Sequence, residues 1–258
     1  MSDTGSDPMD LFDLTGKVAV VTGGSRGLGR EMVLAFAKAG ADVVIASRKA
    51  EACEAVVAEV MATTSSRALA HPCHVGKWDD VEVLADAAYA EFGKVDILVN
   101  NAGMSPLYPS LGAITEALWD KVMDVNLKGP FRLSVLIGDR MSAGDGGAII
   151  NVSSVAGKRP TPVEVPYGAA KAGVENLTFS LSRALAPKVR VNCIAAGPFL
   201  TDIADAWDME LFEASARESI ALQRGAEPGE IVGTALYLAS DASSYLTGAV
   251  IPLDGNFR

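Results

Sequence analysis

Short runs of apolar, β-branched residues alternate with segments of helical periodicity along most of the chain. The strand-like runs are, in order, KVAVVTG, ADVVIAS, RALAHPCHV, VDILVNNAG, GAIINVSS, VRVNCIA and GAVIPLDG. Helix-period segments such as GREMVLAFAKAG and DDVEVLADAAYAEFG lie between them. This alternation is typical of βαβ units, which place their strands parallel in one sheet. The pattern predicts an α/β fold with a doubly wound sheet of about seven parallel strands and helices on both faces.

The second half of the chain contains longer helix-period segments. One helix is predicted over Thr115 to Met141 and another over Tyr167 to Ala186. A looser region from Gly197 to Gly229 precedes a last helix, EIVGTALYLAS. Since no linker rich in Pro, Gly or Ser and no internal repeat interrupts these segments, we expect one domain over residues 14–258.

The composition is consistent with one well-packed domain. The 258 residues are 49% hydrophobic, which is enough for a large buried core. The apolar stretches are shorter than the run of about eighteen residues that indicates a membrane span. The opening MSDTGSDPMDLFD is acidic and polar, so residues 1–13 are predicted to be a flexible tail and not a signal peptide.

Charge and cysteine content narrow the choice of partners and compartment. The net charge is −10, and such a surface repels nucleic acid and anionic lipid, so neither is expected as a partner. The three cysteines, Cys53, Cys73 and Cys193, have no paired spacing. An odd, sparse set favours a reducing compartment, and we therefore expect a cytoplasmic location.

A glycine-rich turn, TGGSRGLG, joins the first predicted strand to the first predicted helix. Glycines at Gly23, Gly27 and Gly29 permit a tight turn, close approach of a pyrophosphate and close packing of the helix on the sheet. The helix N-terminus adds N–H donors and the positive end of the helix dipole. The alternative is an ordinary βα turn, but its place at the first strand–helix junction favours nucleotide binding.

The segment YGAAK places a phenol and an ammonium group four residues apart on one helix. Tyr167 and Lys171 then lie on nearly the same face, where the positive charge is expected to lower the pKa of the phenol. A phenol tuned in this way can exchange a proton with a carbonyl or alcohol oxygen. Ser154, at the end of the fifth predicted strand, can hydrogen-bond the same oxygen. The alternative is a surface pair on an amphipathic helix.

Taken in order, these motifs resemble those of the short-chain dehydrogenases/reductases. TGGSRGLG, NNAG at Asn100 to Gly103, Asn126, Ser154 and YGAAK follow the order of that family, and the resemblance covers about Leu14 to Gly255. The opening LFDLTGKVAVVTGGSRGLG is similar to gluconate 5-dehydrogenase-like members, and 3-oxoacyl-[acyl-carrier-protein] reductase-like members are similar as well. The resemblance implies a single Rossmann domain and an oxidoreductase.

The family's catalytic residues carry over to matching positions. The resemblance implies that Tyr167 is the acid/base, that Ser154 orients the substrate oxygen, and that Lys171 also holds the nicotinamide ribose. Pro130, four residues after Asn126, has no N–H, so the carbonyl of Asn126 should lose its helical donor. In the family this carbonyl holds a water in a proton relay from the lysine. The alternative is a polar residue at a helix kink.

A nicotinamide dinucleotide is the implied cofactor. Its expected contacts are Gly23, Ser25, Arg26, Gly27, Leu28, Gly29, Ser47, Arg48, His74, Val75, Asn101, Ala102, Gly103, Tyr167, Lys171, Gly197, Phe199 and Thr201. Family members that prefer NAD usually have an acidic residue where this chain has Ser47. Here Arg48 and Arg26 can neutralise a 2′-phosphate, so NADP(H) is expected over NAD(H), unless both arginines are merely solvated. The family's usual Pro-Gly is Ala196-Gly197 here, with Pro198 following, which leaves the local loop geometry open.

The segment HPCH invites a metal-binding interpretation, which we do not favour. Strand alternation places His71 and Cys73 on one face and His74 on the other, and no further ligands cluster nearby in sequence. No metal is expected.

The substrate side corresponds to a variable loop of about residues 198–228, with the apolar residues Ile203, Trp207, Met209, Leu211 and Phe212. We expect interconversion of a carbonyl and a secondary alcohol on a small molecule such as a 3-oxoacyl thioester, sugar acid, steroid or quinone. A non-catalytic dinucleotide sensor is the alternative. The family also implies a homotetramer, whose helix contacts would include Gly173, Leu177 and Leu181.

Overall fold

The computed structural model describes residues 7–202, 204 and 207–258. Within them, one sheet contains seven strands, all paired in parallel, in the order β3-β2-β1-β4-β5-β6-β7. The strands are β1 (Val18–Thr22), β2 (Asp42–Ser47), β3 (Ala68–Pro72), β4 (Ile97–Asn100), β5 (Gly147–Ser154), β6 (Val189–Ala196) and β7 (Val250–Leu253). The predicted doubly wound parallel sheet is confirmed.

The helices connect these strands and cover the sheet. They are α1 (Gly27–Lys38), α2 (Ala50–Thr63), α3 (Trp78–Phe92), α4 (Glu116–Met123), α5 (Gly129–Ala143), α6 (Val165–Ala184), α7 (Met209–Ser219) and α8 (Val232–Ala239). The loop predicted over about residues 198–228 therefore contains a helix of its own, α7. The helix predicted from Tyr167 begins two residues earlier and ends two residues before the predicted Ala186.

The long helix predicted over Thr115 to Met141 is divided in the structure. A π-helical segment, Asp124–Lys128, lies between α4 and α5. Here the N–H of Gly129 donates to the carbonyl of Asp124, five residues back. Pro130 follows in the first turn of α5 and has no N–H to donate, so a wider turn at this point is physically reasonable.

Successive residues of each central strand enter two different hydrophobic cores. Ala19 and Val21 of β1 pack with Met32 and Phe36 of α1 on one face. Val20 packs on the other face with residues of α3 and α5, among them Leu84. This strict alternation follows from the two-residue period of a strand. The prediction of helices on both faces is confirmed.

The contact residues predicted for an oligomer are placed differently from expectation. A Cβ on Gly173 would lie 2.9 Å from Cδ1 of Leu127 in the same chain. Leu181 is buried in the core that contains Val20, and Leu177 packs against that core. The helical spacing identified an apolar face correctly, but the face covers the chain's own core. Leu181 is therefore covered within the chain itself, while an intersubunit contact at Gly173 stays a prediction.

The sheet order places a crevice where nucleotides bind in such folds. The chain turns to opposite sides of the sheet after β1 and after β4, which are neighbours. In open α/β sheets, ligands bind outside the carboxyl ends of the strands at this switch point.

At the start of the chain, residues 1–6 of the predicted tail lie outside the described residues, and Pro8–Phe12 form a short 3-10 helix. No helix in the described ranges is long and apolar enough to cross a membrane.

Candidate active site

The glycine-rich turn is shaped for close approach of a ligand to the backbone. Gly23 and Gly27 have φ angles of 66° and 51°, in the left-handed region that favours glycine. A Cβ on Gly29 would lie only 2.1 Å from the carbonyl oxygen of Gly23. Helix α1 begins at Gly27, and no side chain caps its N-terminus. The free N–H groups and the open backbone fit a pyrophosphate.

Hydrogen bonds join the turn after β4 to the glycine-rich turn. The hydroxyl of Thr22, at the end of β1, accepts from the backbone N–H groups of Asn101 and Ala102 at 3.0 and 3.1 Å. The side-chain amide of Asn101 donates to the carbonyl of Thr22 at 2.9 Å. A Cβ on Gly23 would lie 2.8 Å from that amide nitrogen. The predicted Asn101 and Ala102 therefore lie against the predicted glycines.

Asn126 is fully buried in the π-helical segment and binds the chain after β4. Its side-chain amide donates to the carbonyl of Met104 at 2.8 Å, and its Oδ1 accepts from the N–H of Met104 at 3.0 Å. The Oδ1 atom would also be 2.9 Å from a Cβ on Gly103. The predicted role of its backbone carbonyl in a water relay stays a prediction. The side chain has a structural role that the sequence did not reveal.

Ser154, Tyr167 and Lys171 come together at the carboxyl edge of the sheet. Ser154 ends β5, and its hydroxyl is close enough to Tyr167 to lower the pKa of the phenol by hydrogen bonding. The Lys171 ammonium lies 5.5 Å from the centre of the Tyr167 ring. It donates to the carbonyl of Val152 at 2.7 Å and would be 3.5 Å from a Cβ on Gly103. The group thus adjoins the turn after β4.

The protonation of this group differs from the sequence expectation. Burial raises the pKa of Tyr167 to about 12, against the opposing effect of Ser154, and the Glu164 carboxylate adds to the rise. Burial also lowers the pKa of Lys171 to about 8. The prediction that Lys171 lowers the pKa of Tyr167 is therefore wrong for this structure. Desolvation is the largest cause of the shift, and the Lys171 ammonium lies over the ring and donates to the Val152 carbonyl.

Replacing Lys171 with Met is expected to change how stability depends on pH. Because burial lowers the lysine pKa from 10.5 to about 8, the unfolded chain binds more protons between these values, and wild-type stability rises with pH in that window. Relative to Lys171→Met, the free energy of unfolding of the wild type should rise by about 2 kcal/mol between pH 7 and 10. Urea unfolding at several pH values, without cofactor, measures this.

The control for that series is Lys17→Met, which removes an exposed lysine. Since this charge is solvated in both the folded and unfolded chain, the variant should follow the wild-type pH curve. A constant difference between wild type and Lys171→Met from pH 7 to 10 would contradict the buried-lysine account.

A buried carboxylate behind Lys171 was not predicted. Glu175 lies four residues later on α6, and its Oε1 is 3.2 Å from the hydroxyl of Ser153. That hydroxyl is also 3.0 Å from the carbonyl oxygen of Lys171. Lys158 faces the same carboxylate at 3.7 Å. Glu175 therefore joins the strand that ends in Ser154 to the helix that carries Lys171. The sequence could have indicated Glu175 through one signal, an acidic residue on the buried face of a helix.

Ser47 and Arg48, which are predicted to contact the adenosine ribose of the cofactor, lie beside the glycine-rich turn. The N–H of Gly23 donates to the carbonyl of Ala46 at 2.7 Å, so β2 ends next to this turn. Arg48 is exposed just beyond Ser47. The Ser47 hydroxyl lies 3.1 Å from the Cys53 thiol.

Arg26 has an acidic partner that the sequence did not suggest. Its guanidinium lies 3.2 Å from Asp202, and the two side chains are 68% and 51% exposed. Such an exposed pair is weak and can exchange for a phosphate. Arg26 is thus near the predicted site but is engaged with the substrate loop in this structure.

The loop after β3 is packed into the same edge of the sheet. The backbone N–H of His74 donates to the Asp80 carboxylate at 3.2 Å, and its Nδ1 accepts from the N–H of Gly76 at 3.2 Å. A Cβ on Gly129 would lie 2.2 Å from the carbonyl oxygen of Val75. In the described ranges, no group of three or more His, Cys, Asp or Glu side chains could hold a metal ion.

The chain after β6 returns to the glycine-rich turn. Gly197 donates its N–H to the carbonyl of Leu253 at 3.0 Å. Phe199 is buried and forms a β-bridge with Ala226. Thr201 is so close that its Cγ2 would be 3.4 Å from a Cβ on Gly27. The shifted Pro198 therefore leaves Thr201 beside the predicted phosphate turn.

A tyrosine holds the segment that leads into α6. The Tyr108 hydroxyl donates to the carbonyl of Pro162 at 2.9 Å and accepts from the N–H of Val165 at 2.8 Å. A narrow cleft here is lined by Pro106, Tyr108, Leu118, Val122, Glu164, Pro166 and Tyr167. In the loop, the rings of Trp207 and Phe212 lie 4.9 Å apart, while the predicted Ile203 lies outside the described residues.

Comparison with known proteins identifies similar sequences over nearly the whole chain. A family model described as enoyl-(acyl carrier protein) reductase matches residues 23–257. The human protein named dehydrogenase/reductase SDR family member 4 is 35% identical over 244 residues, covering 94% of this chain and 87% of that protein.

Solved structures agree with the sequence comparison. A 3-oxoacyl (acyl-carrier-protein) reductase from Agrobacterium tumefaciens C58 with NADP bound has a TM-score of 0.93 and 31% identity, with all of both chains covered. A 7α-hydroxysteroid dehydrogenase in complex with NADH and 7-oxo glycochenodeoxycholic acid has a TM-score of 0.92 and 32% identity, with 98% of each chain covered. Similar structures thus contain either NADP or NADH.

Proposed function

The chain belongs to the short-chain dehydrogenase/reductase family, and from that premise we propose that it is an NADP(H)-dependent oxidoreductase that interconverts a carbonyl group and a secondary alcohol. One observation carries the proposal. Ser154, Tyr167 and Lys171 lie together at the carboxyl edge of the sheet, next to the turn after β4, which is hydrogen-bonded to Thr22 at the start of the glycine-rich turn. A proton donor and a dinucleotide cradle therefore share one crevice.

Tyr167 is the proton donor in this proposal. Its raised pKa, about 12, keeps the phenol protonated at neutral pH. A carbonyl carbon that gains a hydride leaves an alkoxide oxygen, which is more basic than a phenol and takes the Tyr167 proton. The Ser154 hydroxyl orients and polarises that oxygen. Lys171 and the backbone carbonyl of Asn126 then support return of a proton to Tyr167.

The cofactor, when bound, supplies or accepts the hydride. In this chain the N–H groups around Gly27 are suited to hold its pyrophosphate, because they begin a helix without a side-chain cap. Ser47 and Arg48 are the proposed partners of a 2′-phosphate, joined by Arg26 when it leaves Asp202. The remaining proposed contacts follow the family resemblance and are Ser25, Leu28, His74, Val75, Asn101, Ala102, Gly103, Gly197, Phe199 and Thr201.

A spectrophotometric assay tests the proposed function. Wild-type protein is mixed with NADPH and a panel of 3-oxoacyl thioesters, oxo sugar acids, steroid ketones, quinones and simple ketones. Consumption of NADPH with formation of the matching alcohol, or of the hydroquinone from a quinone, is expected for at least one class. Tight NADPH binding without turnover across the panel would favour a dinucleotide sensor instead.

The proposal includes a homotetramer, with a homodimer as the alternative. Since Leu181 is buried in the chain's own core, the exposed apolar side chains on α5 and α6 are added to Gly173 as candidates for contact. Phe131 is 39% exposed and Phe179 is 48% exposed. Light scattering at micromolar concentration is expected to give four times the chain mass of 26.8 kDa. A monomer would contradict this part of the proposal.

The proposed location is cytoplasmic. Cys53, Cys73 and Cys193 are all buried with free thiols, as expected in a reducing compartment.

A further inference from the structure

We propose that Glu164 makes the substrate site selective by charge. The site would favour carbonyl compounds in which a hydroxyl or ammonium group lies next to the carbonyl carbon. It would disfavour compounds with a carboxylate at that position. The inference rests on the proposed function, because it concerns which carbonyl compounds reach Tyr167.

The position of Glu164 in the site is fixed by its neighbours. It lines the same narrow cleft as Tyr167, directly before the first residue of α6. The Tyr108 hydroxyl binds the backbone on both sides of it, at Pro162 and at Val165. The Thr161 hydroxyl lies 3.2 Å from its Oε1. These contacts hold a carboxylate in the wall of the cleft.

The carboxylate affects the electrostatics of the proton donor. Burial raises the pKa of Glu164, which is only half-exposed to solvent. Its negative charge in turn contributes to the raised pKa of Tyr167. A negative charge that acts on the phenol also acts on a substrate group bound next to the phenol.

No cation balances this carboxylate within the part of the chain that the structure describes. None of the ion pairs there includes Glu164, and the hydrogen bond to its side chain comes from the neutral Thr161 hydroxyl. The two cations on the nearby loop face other carboxylates. Lys158 is 3.7 Å from Glu175, and Arg159 is 3.9 Å from Asp254. A substrate carboxylate beside Glu164 would therefore meet repulsion from it.

The chemistry of the cleft therefore favours one class of substrate. A hydroxyl or ammonium group can donate to the Glu164 carboxylate, and Pro106, Leu118 and Val122 provide apolar surface next to it. Among the substrate classes suggested by the sequence, sugar acids with a carboxylate beside the carbonyl are disfavoured. Hydroxy ketones and amino ketones are favoured.

Four matched phenyl ketones test the inference. Acetophenone is the reference. The compounds α-hydroxyacetophenone, α-aminoacetophenone and phenylglyoxylate differ from it only in the group bonded to the carbonyl carbon, and their phenyl rings are unsubstituted. In the wild type, kcat/KM relative to acetophenone should be higher for the hydroxy and amino compounds and lower for phenylglyoxylate. A charge effect of about tenfold in each ratio is expected for a nearby, partly screened carboxylate.

Three variants separate the charge of Glu164 from other effects. Glu164→Gln should raise the phenylglyoxylate ratio and lower the aminoacetophenone ratio, each by about tenfold. Glu164→Asp retains the charge and should keep the wild-type order of substrates. Glu54→Gln, at an exposed position on α2, should leave all ratios unchanged. Ratios within one variant cancel any shared change in Tyr167.

The outcomes distinguish this inference from the proposed function. If the wild type reduces the ketones but Glu164→Gln leaves every ratio unchanged, the inference is wrong and the oxidoreductase proposal stands. A wild type that reduces none of the four compounds also contradicts the inference. Failure of the oxidoreductase proposal would appear separately, as absence of NADPH consumption across the wider panel.

Discussion

Replacing Tyr167 with Phe is expected to lower kcat by about 100- to 10,000-fold, the usual contribution of a positioned general acid. The reason is that the phenol oxygen carries the transferred proton, whereas the ring only packs. The ring lies 5.5 Å from the Lys171 ammonium and remains in the variant. The affinity for NADPH should therefore change little. Steady-state kinetics and a separate binding titration measure the two quantities.

Tyr245→Phe is the matched control, because Tyr245 is fully exposed and its hydroxyl touches solvent. It should retain the wild-type rate. If Tyr167→Phe kept more than about a tenth of the wild-type kcat, Tyr167 could not be the acid. A large loss of NADPH affinity would indicate that the phenol holds the cofactor instead.

Changing Ser47 to Asp together with Arg48 to Ile is expected to reverse the cofactor preference. In the wild type, each charge-assisted contact with a 2′-phosphate contributes roughly 1.5–3 kcal/mol, so one arginine could favour NADPH about ten- to a hundredfold. In the variant, a carboxylate at position 47 would repel the phosphate and accept from the free 2′-hydroxyl of NADH. The measurement is kcat/KM for both cofactors on each protein.

Arg183→Ile removes an exposed arginine on α6 and serves as the control, for which the NADPH/NADH ratio should not change. Arg26 stays in every protein of this comparison, so its exchange between Asp202 and the phosphate affects them alike. A wild type that prefers NADH, or a double variant with an unchanged ratio, would show that Arg48 is only a surface charge.

The sequence predicted the elements of the fold and the place of the site because these depend on local patterns. Two-residue alternation located the strands, and Gly23, Gly27 and Gly29 required an open turn between β1 and α1. Parallel strands bring their carboxyl ends to one edge, so Ser154 and the turn after β4 had to meet. The roles of individual side chains came from the family resemblance.

What the sequence did not predict depends on contacts between distant parts of the chain. Arg26 pairs with a residue 176 positions away, and Asn126 binds a backbone segment 22 positions away. The pKa of Tyr167 depends on how deeply neighbouring elements bury it, and that burial outweighed the expected effect of Lys171. Helical spacing placed Leu181 on an apolar face but did not identify what covers that face.

The central claim is that this chain transfers hydride between the nicotinamide C4 atom and a carbonyl carbon while Tyr167 moves the proton. The most direct test uses NADPH deuterated at C4, wild-type protein and a ketone consumed in the panel, with mass spectrometry of the alcohol product. Two samples of NADPH are used, each deuterated on one of the two faces of C4. The account predicts that one of them gives one deuterium on the carbinol carbon for each NADPH consumed, and that Tyr167→Phe forms almost no product. If NADPH binds saturably but neither sample gives labelled alcohol, the account is contradicted.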